Sequence, residues 1–89
     1  MVWKVIFDDK ALKVLKKLDK SNAIRIVDFI EKRLAVANNP RVFGAALRGS
    51  ELASFWKYRV GAYRIIASIH DAELIINVVK LGNRKEVYR

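Results

Sequence analysis

The spacing of apolar residues changes period twice along the chain. Residues 2–7, VWKVIF, are β-branched and aromatic and predict a strand. From there the period lengthens. Ala11, Leu12, Leu15 and Leu18 recur at helical spacing, with lysines at 10, 13, 16 and 17 on the opposite side. Asp8 or Asp9 is placed to cap this helix, where a carboxylate meets unpaired N–H groups and the positive end of the dipole. The pattern breaks from Asp19 to Asn22, and Ser21 is expected to cap a second helix over about 22–38. Its inward side carries Ile26, Phe29, Ile30 and Leu34; Arg25, Glu31, Lys32 and Arg33 point outward. Asn38-Asn39-Pro40 ends it, because the residue before a proline is pushed out of helical geometry.

Residues 39–50, with Pro40, Gly44 and Gly49, form a connection expected to contain a short helical turn. The period then becomes two, predicting strands over about 53–60, 63–69 and 73–80, joined by tight turns at Gly61-Ala62 and at HDAE, 70–73. The tail, GNRKEVYR, is too polar for a central strand. With no repeat, linker or low-complexity tract, residues 1–89 read as one small domain. The order β-α-α-β-β-β predicts an α+β fold, a helical pair packed on one face of an antiparallel sheet with the other face partly open.

Strand parity then isolates a patch in WKYRVGAYRII, residues 56–66. With a turn at Gly61-Ala62, Val60 pairs with Tyr63 and Arg59 lies opposite Arg64. Trp56, Tyr58, Val60, Tyr63, Ile65 and Ala67 share one face, suited to the helices; Lys57, Arg59, Arg64 and Ile66 share the other. A one-residue slip would separate the two arginines. Like charges facing each other destabilise a sheet. Either an anion belongs on this patch, or acids such as Glu51 or Glu73 neutralise it.

Charge points the same way. Eighteen basic and nine acidic residues leave a net charge of +9 and a pI near 10.2, which favours a polyanion or an acidic protein as partner. There is no cysteine, hence no disulfide and no thiolate chemistry. The N-terminus is apolar only briefly before Asp8 and Asp9, which fits neither a signal peptide nor a membrane span, so a cytoplasmic location is expected. His70, the single histidine, falls in a predicted turn at the far end of the sheet and reads as a solvated polar residue. Acids are sparse in the last third, at Asp71, Glu73 and Glu86, and no nucleotide-binding glycine pattern occurs. Neither a metal nor a cofactor is expected. Cleavage of RNA can proceed without either when the 2′-OH serves as nucleophile. The protein must then take its proton, stabilise charge on phosphorus and assist the leaving 5′ oxygen. Arginine offers forked donors suited to phosphate, and neighbouring cations disfavour the charged form of a lysine.

In four stretches the chain resembles the RelE-like toxins of bacterial toxin–antitoxin modules, within the RelE/ParE superfamily: VIFDDKALKVLKKL, NNPRVFGAALRG, the WKYRVGAYRII hairpin and the closing VKLGNRKEVYR. The basic hairpin followed by Gly-x-Arg-Lys-x-Val-Tyr is the most specific of these. The resemblance implies a toxin that cuts mRNA in the ribosomal A site of the 30S subunit, leaving a 2′,3′-cyclic phosphate, and that is held by a RelB-like antitoxin. It assigns Lys57 as general base and Arg64 to the scissile phosphate. Arg84 would protonate the leaving oxygen or stabilise its charge, and Tyr88 would stack on the nucleotide being cut. Arg59 and Lys85 would support phosphate binding. Phe55 stands where well-studied members carry a second lysine, and Arg59, on the same face as Lys57, is placed to compensate. Two other readings fit the charge: a ParE-like toxin acting on DNA gyrase, and a basic module that binds RNA or ribosomes without cutting.

Overall fold

Residues 2–47 and 55–83 are described by the structure, a computed structural model. Strand β1 (Lys4–Phe7) leads into helix α1 (Asp9–Lys17) and helix α2 (Lys20–Phe29), which continues through a π-helical turn at Ile30–Leu34. A 3-10 turn (Pro40–Phe43) precedes the short strand β2 (Ala45–Ala46), and β3 (Phe55–Val60), β4 (Tyr63–His70) and β5 (Ile75–Asn83) follow. The five strands form one sheet in the order β1-β5-β4-β3-β2, with the helical pair on one face.

The predicted order and layering hold, but the second helical segment ends at Leu34 and not near residue 38, the connection contributes the short strand β2, and three further corrections apply. First, the sheet is mixed: β1 runs parallel to β5, pairing Lys4 to Phe7 with Ile75 to Val78. The helices carry the chain from one sheet edge to the other. Antiparallel strands then step back until β5 meets β1 in the same direction. Second, β5 is central and reaches Asn83, beyond the expected end of the strand. Pairing of Asn83 with Tyr63 and of Gly82 with Arg64 outweighs the polarity of these positions, since Gly82 brings no side chain to bury and Asn83 is exposed. Third, Asp19 caps α2 and Ser21 does not. The Asp19 carboxylate accepts from the Asn22 backbone N–H (3.3 Å), the Asn22 amide (2.7 Å) and the Ser21 hydroxyl (2.7 Å). Those bonds favour the charged form and hold its pKa below the ordinary carboxylate value.

Ile26, Ile30 and Leu34 of the second helical stripe are all buried, as their spacing requires. Steps of four residues drift around a 3.6-residue helix, and the π turn, closed by the Ala35 N–H to the Ile30 carbonyl (2.8 Å), absorbs that drift. Against this stripe pack Trp3, Tyr58, Ile65, Ala67, Ile76, Val78 and Leu81. The Trp3 indole N–H donates to the Ala37 carbonyl (2.9 Å), tying β1 to the end of the helical segment.

A bulge interrupts β5. Ile66 pairs with Lys80, but the next residue of β4, Ala67, pairs with Val78, so Val79 is the extra residue.

Candidate functional site

The hairpin register matches the one read from its turn. Gly61 adopts a positive φ of 60°, the left-handed geometry a tight turn needs, and Ala62 completes it. Val60 then pairs with Tyr63 and Arg59 with Arg64. Tyr58, Ile65 and Ala67 are buried against the helices, while Lys57, Arg59 and Arg64 occupy the opposite face.

Beside these three cations lies a cavity of about 380 Å³, lined by Phe43, Gly44, Ala45, Lys57, Tyr58, Arg59 and Arg64. Arg59 is exposed, Lys57 half-buried, and Arg64 is buried to 7% exposure. One Arg64 N–H donates to the Tyr63 carbonyl at 3.2 Å. A guanidinium carries five N–H donors, and among the described residues this is the one hydrogen bond that engages them. Opposite Arg64 on β5 stands Gly82, which places no side chain beside it. Among the described residues the ion pairs are Lys32–Asp28 (3.8 Å) and Arg41–Asp71 (2.6 Å), and neither involves Arg59 or Arg64. Glu73 therefore does not neutralise the patch, and Glu51 lies outside the described residues. A buried cation with no counter-charge among the described residues is costly, and an anion placed here would offset that cost.

The wall facing the patch comes from the connection, and sequence reading missed its role. A Cβ on Gly44 would sit 2.5 Å from the Lys57 carbonyl oxygen and 2.8 Å from the Tyr58 ring, so only glycine lets the chain come this close. Three contacts hold the segment there. The Tyr58 hydroxyl donates to the Pro40 carbonyl (3.0 Å), and Arg41 grips Asp71 with two nitrogens (3.1 and 2.6 Å) while lying 5.8 Å over the Trp56 ring. Phe29 adds aromatic contacts to Phe43 (6.4 Å) and Tyr58 (5.9 Å). Burial pushes the Tyr58 phenol up to about 12, partly opposed by the Arg41 charge, so it is a neutral donor at physiological pH. Hydrogen bonding to Arg41 lowers the Asp71 pKa and raises that of Arg41 itself. A glycine-proline pair flanking a short apolar run was the available signal; its contact with β3 was not readable.

Of the residues singled out from sequence, the fold brings Lys57, Arg59 and Arg64 together; Arg84, Lys85 and Tyr88 lie outside the described residues. His70 is exposed at the opposite end of β4 from the Gly61 turn, with its ring nitrogen 2.9 Å from the Ser68 hydroxyl. No helix among the described residues is long and apolar enough to cross a membrane.

Comparison with known proteins bears on the same unit. Residues 5–88 match the family model described as the ParE toxin of the type II toxin–antitoxin system parDE. A RelE-like toxin protein of Escherichia coli is 36% identical over 85 residues, covering 96% of this chain and 86% of that protein. The mRNA interferase toxin RelE of E. coli K12 is 30% identical over 91 residues, 99% of this chain and 92% of that one. Among solved structures, the toxin–antitoxin complex RelBE from Mycobacterium tuberculosis aligns with a TM-score of 0.83 at 26% identity, over 94% of this chain and 93% of that one. An archaeal RelE–RelB complex from Pyrococcus horikoshii aligns at 0.75, also at 26% identity, over 94% and 97%. Sequence, fold and cationic hairpin agree, and the chain belongs to the RelE/ParE family of type II toxin–antitoxin toxins.

Proposed function

We propose that this toxin is a ribosome-dependent mRNA endoribonuclease that cuts mRNA in the A site and so stops translation. The observation that carries this reading is Arg64. A guanidinium buried to 7% exposure, facing Arg59 and beside Lys57, has no carboxylate partner among the described residues and opens on a cavity. That arrangement suits a phosphate. The mRNA interferase name carried by a 30% identical relative supports the same reading.

In this mechanism the 2′-oxygen of the RNA attacks the adjacent phosphorus. Lys57 takes the 2′-OH proton, and Arg64 and Arg59 hold the non-bridging oxygens as negative charge builds. The bond to the 5′ oxygen breaks, leaving a 2′,3′-cyclic phosphate on one fragment and a 5′-OH on the other. Arg84 protonates the departing oxygen or stabilises its charge, Tyr88 stacks on the nucleotide, and Lys85 adds a phosphate contact. No metal or cofactor is required. A RelB-like antitoxin is the controlling partner, in keeping with the complexes in which the structural relatives occur.

The ParE description of the matching family model favours a second reading, inhibition of DNA gyrase. Primer extension on a reporter mRNA, with the purified chain and with or without translating ribosomes, separates the two. Codon-phased breaks only when ribosomes are present are expected. A folded chain that makes no breaks but blocks supercoiling by gyrase would overturn the nuclease reading.

A further inference from the structure

The bulge in β5 re-aims one cation. Ile76 and Val78 are buried on the helix face, and strict alternation would send Lys80 to the same side. The extra residue at Val79 reverses the parity. Lys80 then pairs with Ile66, which neighbours Lys57 on β3, and so lies on the cationic face; Leu81 takes the buried place. A bulge bends and exposes a strand at a cost in pairing, and such features concentrate beside functional sites, where they redirect side chains.

The result is a row of cations across three strands. Lys57 on β3 and Lys80 on β5 flank Ile66, and Arg64 lies diagonal to Lys80, two residues from Ile66 on β4. With strands roughly 4.8 Å apart, the two lysine backbones are separated by ~10 Å with Arg64 between their rows. Lys80 is exposed and joins no ion pair among the described residues. Gly82, opposite Arg64, leaves the path between the Arg64 guanidinium and Lys80 without an intervening β5 side chain.

We propose that Lys80 is a phosphate-binding residue of this site, holding the phosphate next to the one gripped by Arg64 as the RNA strand crosses the sheet from β3 to β5. The inference rests on the nuclease reading and adds the direction of the strand over the sheet. Lys80 acts by binding: its contact is present in the ground state and the transition state alike, so its loss raises the half-saturating concentration and leaves the saturated rate nearly unchanged.

The test is single-turnover cleavage on ribosomes programmed with mRNAs that carry an uncharged methylphosphonate on one side or the other of the cut. Lys80→Gln should raise the half-saturating toxin concentration roughly tenfold, the value of one charge-assisted hydrogen bond. The saturated rate should stay within about twofold, and Lys80→Arg should behave like the wild type. Neutralising the phosphate that Lys80 holds should weaken the wild type to a similar extent and the Lys80→Gln variant no further, because one contact cannot be lost twice. If the wild type cuts and the two losses multiply on both sides, or Lys80→Gln is indistinguishable from wild type, Lys80 does not hold that phosphate and the nuclease reading stands. A wild-type chain that cuts nothing on ribosomes overturns both.

Discussion

The Arg64 guanidinium lies where little of its surface meets solvent, opposite another arginine and, among the described residues, with one hydrogen bond to the Tyr63 carbonyl. Two opposing effects decide what its removal does. Truncation to alanine loses the packing of the aliphatic stem and relieves repulsion across the ladder. The net change in unfolding free energy is expected within ~1 kcal/mol. In the proposed mechanism the guanidinium itself is needed, and Arg64→Ala should lower the saturated rate about a hundredfold or more. Urea denaturation beside single-turnover cleavage checks both; a variant that unfolds would make Arg64 a structural residue. Burial holds the Tyr58 phenol neutral well into the alkaline range. Its folded pKa of about 12 stands above the ordinary value near ~10, so the stabilisation from keeping it neutral is complete below pH ~10 and disappears as pH rises through about 12. Tyr58→Phe should cost about 0.5–1.5 kcal/mol at neutral pH, through the lost bond to Pro40, and flatten the alkaline fall. Unfolding midpoints measured against pH would show it, and an unchanged alkaline slope would refute it. Asp19 and Asp71, both held low by hydrogen bonds, contribute stability above the ordinary carboxylate range that is lost as pH falls.

At the level of elements, the site depends on a connection that approaches a strand. The Pro40–Phe43 turn and β2 stand against β3 only because Gly44 has no side chain. Gly44→Ala brings a Cβ against a backbone carbonyl, which cannot swing aside as a flexible side chain would. A loss of roughly 1–3 kcal/mol is expected, with weaker cleavage as the wall moves off Lys57 and Arg59. A thermal melt and a cleavage assay on the same variant test this; wild-type values in both would show that the connection can shift at no cost. The hairpin's register was legible because its turn residues demand one geometry, and Gly61 adopts it. The bulge was not legible, since V-V-K-L in β5 carries no mark of which valine is the extra one until β4 is laid beside it.

The molecule as a whole combines a net charge of +9 with exposed apolar residues, among them Val42 at 70% and Val36 at 54% exposure, and with Phe43 at 38% on the cavity wall. Such a surface suits an acidic segment that covers apolar groups and neutralises cations together. Co-expression with the RelB-like antitoxin proposed above as its partner is expected to yield a complex of higher melting temperature and no cleavage activity. Binding to the folded state alone stabilises by about 2.7 kcal/mol at a hundredfold excess over Kd. Co-purification that recovers no complex would count against it.

Sequence alone determined the helices, the hairpin and the patch, because each follows from periodicity or from turn geometry within a few residues: the Ile26-Ile30-Leu34 stripe, the positive φ at Gly61, and the parity that sets Lys57, Arg59 and Arg64 on one face. What depends on partners distant in the chain was decided only by the tertiary structure. The parallel pairing of β1 with β5, the burial of Arg64 and the close approach of Gly44 are of this kind. So is the turn of Lys80 onto the cationic face. A local pattern states which side of a strand a residue takes relative to its neighbours, and only the register against another strand states where that side ends up.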